Sequence, residues 1–197
     1  MSSAPGSAPN DRPCQPRKLE PNDIRKGFDS GAPELDTWLE RYASQNQRAS
    51  NATTYVSVTP PPPGGGGRVV AFYAITVAGV SRDAVPTPVA KQAPSQVPCL
   101  LLARLAVDRQ WGGQGLGAAL LADAMRRAVQ ISETAGLRAL LIHARDEAAR
   151  AFYNHLGNFL DSPADPMHLM ITIRDIEAAV RVLNVPVDSA DWGGHRH

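Results

Sequence analysis

Between Asp108 and Ala128 the chain reads DRQWGGQGLGAALLADAMRRA, with four glycines in six residues followed at once by an amphipathic pattern. The most flexible backbone in the chain therefore stands directly before its longest helical period. In front of the glycines lies CLLLARLAVD, a nearly continuous apolar run that suits a central strand covered on both faces. Behind them, Leu116, Leu120, Leu121, Ala124, Ala128 and Ile131 keep a helical spacing to about Ala135. The order buried strand, glycine turn, helix points to anion chemistry. A helix start leaves backbone N–H groups without acceptors, its dipole favours negative charge, and glycines let the main chain close around a phosphate. Gly112, Gly113, Gln114, Gly115, Leu116 and Gly117 are thus expected to aim amides at a pyrophosphate. On the residues alone, a flexible loop leading into a helix remains the other reading. The segment is no P-loop, since no Gly-Lys-Ser/Thr follows. It is also a poor dinucleotide fingerprint, because no acidic residue ends a strand about twenty residues on.

Around this unit the chain alternates. GAPELDTWLERYASQNQ carries Leu35, Trp38, Leu39 and Tyr42 at helical spacing, with Pro33 suited to the first turn. TTYVSV and RVVAFYAITVAGV read as paired strands, and the intervening PPPPGGGG at 60–67 as a loop insertion. RALLIHA is a further strand, and DEAARAFYNHL is a helix that Asp146 would cap. HLMITI is the last strand, before a terminal helix RDIEAAVRVL. This predicts one α/β (α+β) domain with a central mixed sheet flanked by helices over 18–183. Residues 1–17 are expected to be a disordered leader and 184–197, with Trp192, a tail. The net charge of +1 argues against wholesale coating of nucleic acid. Cys14 and Cys99 have neither a disulfide framework nor metal-ligand spacing, so no metal and a reduced, cytoplasmic setting are expected. The leader has no secretory apolar core and no run approaches membrane-spanning length.

With LLARLAVD in front and DEAARAFYNHLG behind, the glycine segment resembles the GNAT superfamily of acetyl-CoA-dependent N-acetyltransferases. Their pyrophosphate turn, Gln/Arg-x-x-Gly-x-Gly/Ala, matches Gly115 and Gly117 and has Gly112 in place of Gln or Arg. FDSGAPELDTWLERYASQNQ, TTYV, GQGLGAALLADAMRRA, HARDEAARAFYNHLG and DSPADPMHLMITIRDI further resemble TacT-like acetyltransferase toxins, over about residues 19–177. Two departures are the 60–67 insertion and Asn158, where the family pattern has Phe and Phe159 follows one place late.

The resemblance implies a GNAT fold with a mostly antiparallel sheet, acetyl-CoA as cosubstrate, and the α-amino group of aminoacyl-tRNA as acceptor. It also implies a ribbon-helix-helix antitoxin as partner, DNA contact only through that antitoxin, no membrane partner, and a homodimer. It places the catalytic acid at Tyr153 and the polarising backbone N–H among Leu105, Ala106 and Val107. Arg104 interrupts an apolar strand, and a buried arginine wants a partner. It is either in a structural ion pair or on an acceptor phosphate. Trp38 and Tyr42 read as core of the first helix, or as walls of the acceptor cleft on which a base could stack. His143 reads first as a core or rim histidine and second as a base. Two other functions stay open: a GNAT enzyme for a small amine, an antibiotic or a protein lysine, and a non-catalytic acetyl-CoA-binding corepressor.

Overall fold

The computed structural model describes residues 12–183. The first eleven residues of the expected leader, and the 184–197 tail with Trp192, lie outside the described residues. In chain order the elements are β1 (Arg17–Lys18), α1 (Pro33–Thr37), a π-helical turn (Trp38–Tyr42), α2 (Ala43–Arg48), β2 (Thr53–Val58) and β3 (Val69–Ser81). There follow α3 (Thr87–Ala90), β4 (Gln96–Val107), α4 (Leu116–Ala135), β5 (Ala139–His143), α5 (Glu147–Leu156), β6 (Leu160–Asp161), β7 (His168–Thr172) and α6 (Ile173–Leu183). The strands make one sheet ordered β1-β2-β3-β4-β5-β7-β6, in which β4 and β5 alone run parallel.

Both faces of the sheet are covered, which is why β4 reads as a continuous apolar run. On one face Leu120, Leu121, Ala124 and Ala128 of α4 and Ile176 of α6 meet Tyr73, Leu100, Leu102, Leu140 and Ile142. Each such leucine contributes about 1.5–3 kcal/mol by leaving water. On the other face Trp38, Leu39 and Ala43 cover Val56, Phe72, Ala74 and Ala106. Further along that face Val85, Val89 and Ala93 cover Val97, Cys99, Leu141 and Met170.

Three differences from the sequence reading have physical causes. The leader ends earlier than residue 17. The Cys14 N–H donates to the Val58 carbonyl at 2.9 Å, and Arg17 and Lys18 pair with Val56 and Tyr55. Arg17 also grips the buried Asp23 carboxylate with two bonds of 2.8 and 2.7 Å, which anchors a stretch whose prolines hide it. Secondly, the π turn adds a residue to the first helix and shifts its phase. Ala43 takes the buried position that an uninterrupted α-helix would give Tyr42, and Tyr42 turns out to solvent at 47% exposure. Thirdly, β4 carries a bulge: Ala74 pairs with Arg104 and Ile75 with Leu102, leaving Ala103 as the extra residue. A one-residue insertion exchanges the two faces of everything beyond it. Leu100 and Leu102 therefore share a face with Leu105 and Val107, while Arg104 and Ala106 point the other way.

Candidate active site

The parallel pairing of β4 with β5 runs from Cys99–Ala139 to Leu102–Ile142 and stops there. β4 continues beside β3 as far as Val107. Past the bulge, β4 thus has a neighbour on one side only, and a cleft of about 790 Å³ opens between the splayed strands. The phase of the exposed edge follows from one bond. The Asp108 N–H donates to the Val70 carbonyl at 2.9 Å. In an antiparallel ladder the hydrogen-bonded pairs alternate, so Ala106 and Arg104 also direct their main chains at β3. Leu105 and Val107 then direct theirs into the cleft. Of the three residues nominated for a polarising amide, Leu105 and Val107 can supply it, and Ala106 is turned towards β3.

At one end of the cleft the chain leaves β4 through Asp108. Its buried carboxylate accepts from the Gln110 N–H at 3.0 Å and the Asp29 N–H at 3.2 Å. The short 3-10 turn Arg109–Trp111 follows, and it uses the Gly112 N–H, which donates to the Arg109 carbonyl. Gly112 is therefore not a free donor, contrary to the expectation for that position. From Gly113 to Ala118 no amide has a protein acceptor among the described residues, and the first backbone bond of α4 runs from the Ala119 N–H to the Gly115 carbonyl. Gly113 and Gly115 hold φ of 72° and 80°, the left-handed conformation that a side chain opposes. Gly117 is closely approached: a Cβ there would lie 3.0 Å from the Phe152 ring, which would have to give way. Alternating hand along a run of free amides is an anion nest, here reinforced by the start of a twenty-residue helix.

Tyr153 lines the same cleft from α5. Asp146 caps that helix, accepting from the Ala149 N–H at 2.8 Å. The Tyr153 ring is buried, edge-on to Phe152 and to Phe159. Phe159 thus reaches the tyrosine although it stands one place late in the sequence. The hydroxyl has no hydrogen-bond partner among the described residues. Burial pushes the phenol up to about 12, so it keeps its proton at neutral pH.

The opposite wall comes from the other face of the sheet. Arg104 lines the cleft with its guanidinium 4.4 Å above the centre of the Trp38 ring. Trp38 is itself stacked on Phe72 at 5.8 Å. No carboxylate lies within ion-pair distance of Arg104 among the described residues, and partial burial lowers its pKa. Of the three residues nominated for substrate contact, Arg104 faces the cleft, Trp38 is buried beneath it, and Tyr42 stands outside the lining. Trp38 supports Arg104 through its π face rather than presenting it to a ligand.

Sequence reasoning missed the clasp that holds the two walls together. The Arg109 N–H donates to the Asp29 carbonyl, and its guanidinium pairs with the Asp29 carboxylate. This fixes the nest to the segment leading into α1, whose Ser30 and Ala32 line the cleft. Asp108 next to the glycines was its only signal. Across the cleft mouth, Arg145 pairs with Glu34 at 3.1 Å and with Asp146 at 2.8 Å. Among the described residues no group of three or more His, Cys, Asp or Glu is gathered to hold a metal ion. None of the described helices is long and apolar enough to cross a membrane.

Three comparisons agree with this geometry. Residues 65–157 match the model of the acetyltransferase (GNAT) domain. The chain is 41% identical over 165 residues to the tRNA-acetylating toxin of Mycobacterium tuberculosis, covering 84% of this chain and 95% of that protein. Among solved structures, AtaT complexed with acetyl-methionyl-tRNAfMet superposes with a TM-score of 0.76 at 26% identity, over 84% of this chain and 98% of that one. AtaTR bound with AcCoA gives 0.73 at 27%, over 84% and 96%.

Proposed function

The chain belongs to the GNAT acetyltransferases, and we propose that it acetylates the α-amino group of aminoacyl-tRNA and thereby blocks translation. It is an acetyl-CoA-dependent acyltransferase. The observation that carries the acceptor is the likeness to a tRNA-acetylating toxin across 95% of that protein's length. A ribbon-helix-helix antitoxin would neutralise it and mediate any contact with DNA. The toxin would act in the cytoplasm as a homodimer, with acetyl-CoA as cosubstrate and no metal.

The residues divide the chemistry as follows. The amides from Gly113 to Ala118 hold the pyrophosphate of acetyl-CoA. Leu105 and Val107 bond the pantetheine arm along the open edge of β4, and one of their N–H groups polarises the thioester carbonyl. A backbone donor aimed at a developing oxyanion typically contributes about 3–4 kcal/mol. The acceptor amine attacks the carbonyl carbon, and the C–S bond breaks as Tyr153 gives its proton to the departing sulfur. The remaining ammonium proton of the tetrahedral adduct restores the phenol. Arg104, charged and without a carboxylate partner, holds a phosphate of the tRNA acceptor end.

The test is incubation of the purified chain with radiolabelled acetyl-CoA and total charged tRNA, alongside aminoglycosides and cell protein. Label on the amino acid of charged tRNA is expected. Label confined to protein or small amines would replace the acceptor, and saturable acetyl-CoA binding without transfer would leave only a corepressor.

A further inference from the structure

Ammonium at the acceptor is the problem the residues so far described leave unsolved. The α-amino group of an esterified amino acid titrates somewhat below the ~8 of an ordinary α-amine, so part of the acceptor still arrives protonated at pH ~7. Neither Tyr153, which starts with its proton, nor Arg104 can take one.

His143 can. It is the last residue of β5, one place beyond the final β4–β5 pair, at the apex of the splay. Strand alternation sets it on the face of Ala139 and Leu141, the face that carries Arg104, and its side chain lines the cleft. The nest and Tyr153 reach the cleft from the α4 side. The two histidines of the cross-strand pair His143–His168 stack with ring centres 3.9 Å apart and planes 14° from parallel. Asp165 lies 3.6 Å from His168. The cleft that His143 lines is shared with Arg104 on β4, Arg145 on the following loop, already paired with Glu34 of α1, and Tyr153 and His155 on α5. No carboxylate is bonded to His143 among the described residues. The imidazole remains exposed to water on its outer side.

We propose that His143 is the general base of the transfer, taking the first proton from the acceptor ammonium on the face of the sheet opposite Tyr153. The proposal rests on the aminoacyl-tRNA reading above. Nitrogen loses one proton to the His143 ring, its lone pair forms the C–N bond, and the C–S bond breaks as already described. The imidazolium then releases its proton to the water it faces. Burial, and second the neighbouring His168, hold the His143 pKa below its usual value, so the ring is neutral at physiological pH.

The test compares pH profiles of single-turnover acetylation of aminoacyl-tRNA by the wild-type chain and by H143A and H143N. With the base, the rate is flat between the His143 and acceptor pKa values; without it, the rate follows the free amine. The gap should widen as the pH falls below the pKa of the acceptor amine and close above it. Added imidazole should restore H143A at low pH, and H168A should move the acid limb upward, since it removes a like charge. A gap independent of pH, no rescue by imidazole, or no gap would overturn the proposal. A wild-type chain that acetylates no aminoacyl-tRNA would instead bring down the functional reading beneath it. Melting curves of H143A and H143N separate misfolding from lost chemistry.

Discussion

The two halves of the cleft are built from different material. The half proposed for the cofactor is main chain: six amides between Gly113 and Ala118, plus the open edge at Leu105 and Val107. The half proposed for the acceptor is side chain: Arg104 on its tryptophan, His143 on its histidine, and the Arg145–Glu34 bridge. A site made of backbone needs residues that leave the backbone bare, so it marks the composition. A site made of side chains depends on which way each strand residue points, and one inserted residue reverses that.

The sharpest way to separate the halves from the chemistry between them is Tyr153→Phe. Transfer should fall on the order of 10²–10⁴-fold, with acetyl-CoA affinity unchanged by calorimetry. Because burial holds the phenol at about 12, the wild-type rate should show no descending limb from loss of that proton through the ordinary phenol range near 10. A limb centred near 10 would mean an exposed phenol and a different cleft.

Next in size is the cofactor half itself. Gly115→Ala forces a side chain into φ of 80°, at a cost of about 1–2 kcal/mol. If that strain falls on the nest, the Kd for acetyl-CoA should rise roughly 5–30-fold, while the rate at saturation and the KM for charged tRNA hold. A matching change in tRNA KM would show that the halves are not separable, with the Asp29–Arg109 clasp as the connection.

Arg104→Ala should do the reverse, raising the tRNA KM several-fold and leaving acetyl-CoA affinity alone. The slope of log affinity against log salt should drop by about one if a single phosphate contact is lost. Arg104→Lys should keep the slope but not the full affinity, because lysine lacks the planar group that lies on Trp38. An unchanged slope in Arg104→Ala would remove the phosphate role. Smallest of all is Tyr42→Ala: an exposed side chain off the cleft should change transfer by less than ~2-fold. A loss above tenfold would return Tyr42 to the acceptor wall.

How much of this was legible follows the same division. The strand–glycine–helix unit, the mixed sheet and the Asp146 cap were all readable, because each leaves a local pattern, and a family motif singled out Tyr153. β1 was hidden in a proline-rich stretch, since two paired residues make no periodicity. The fate of Tyr42 turned on a π turn, and that of Arg104 on the bulge at Ala103. Neither insertion leaves a trace in hydrophobic spacing; each shifts the period without changing the residues that carry it. Gly112 belongs to the glycine run and still donates inward, because the turn before it consumes its amide. The stacked histidines were unreadable for a related reason: His143 and His168 are neighbours only through the β5–β7 register.

The claim beneath all of this is that the free amides of 113–118 are what hold the diphosphate. Titrating the ¹⁵N-labelled chain with coenzyme A and following the backbone amide resonances tests it directly. The account predicts that Gly113 to Ala118 shift downfield together and saturate at the calorimetric Kd, that Leu105 and Val107 respond with them, and that switching to acetyl-CoA adds a further change at one of these two. Saturable binding that leaves the six amides where they were would contradict it.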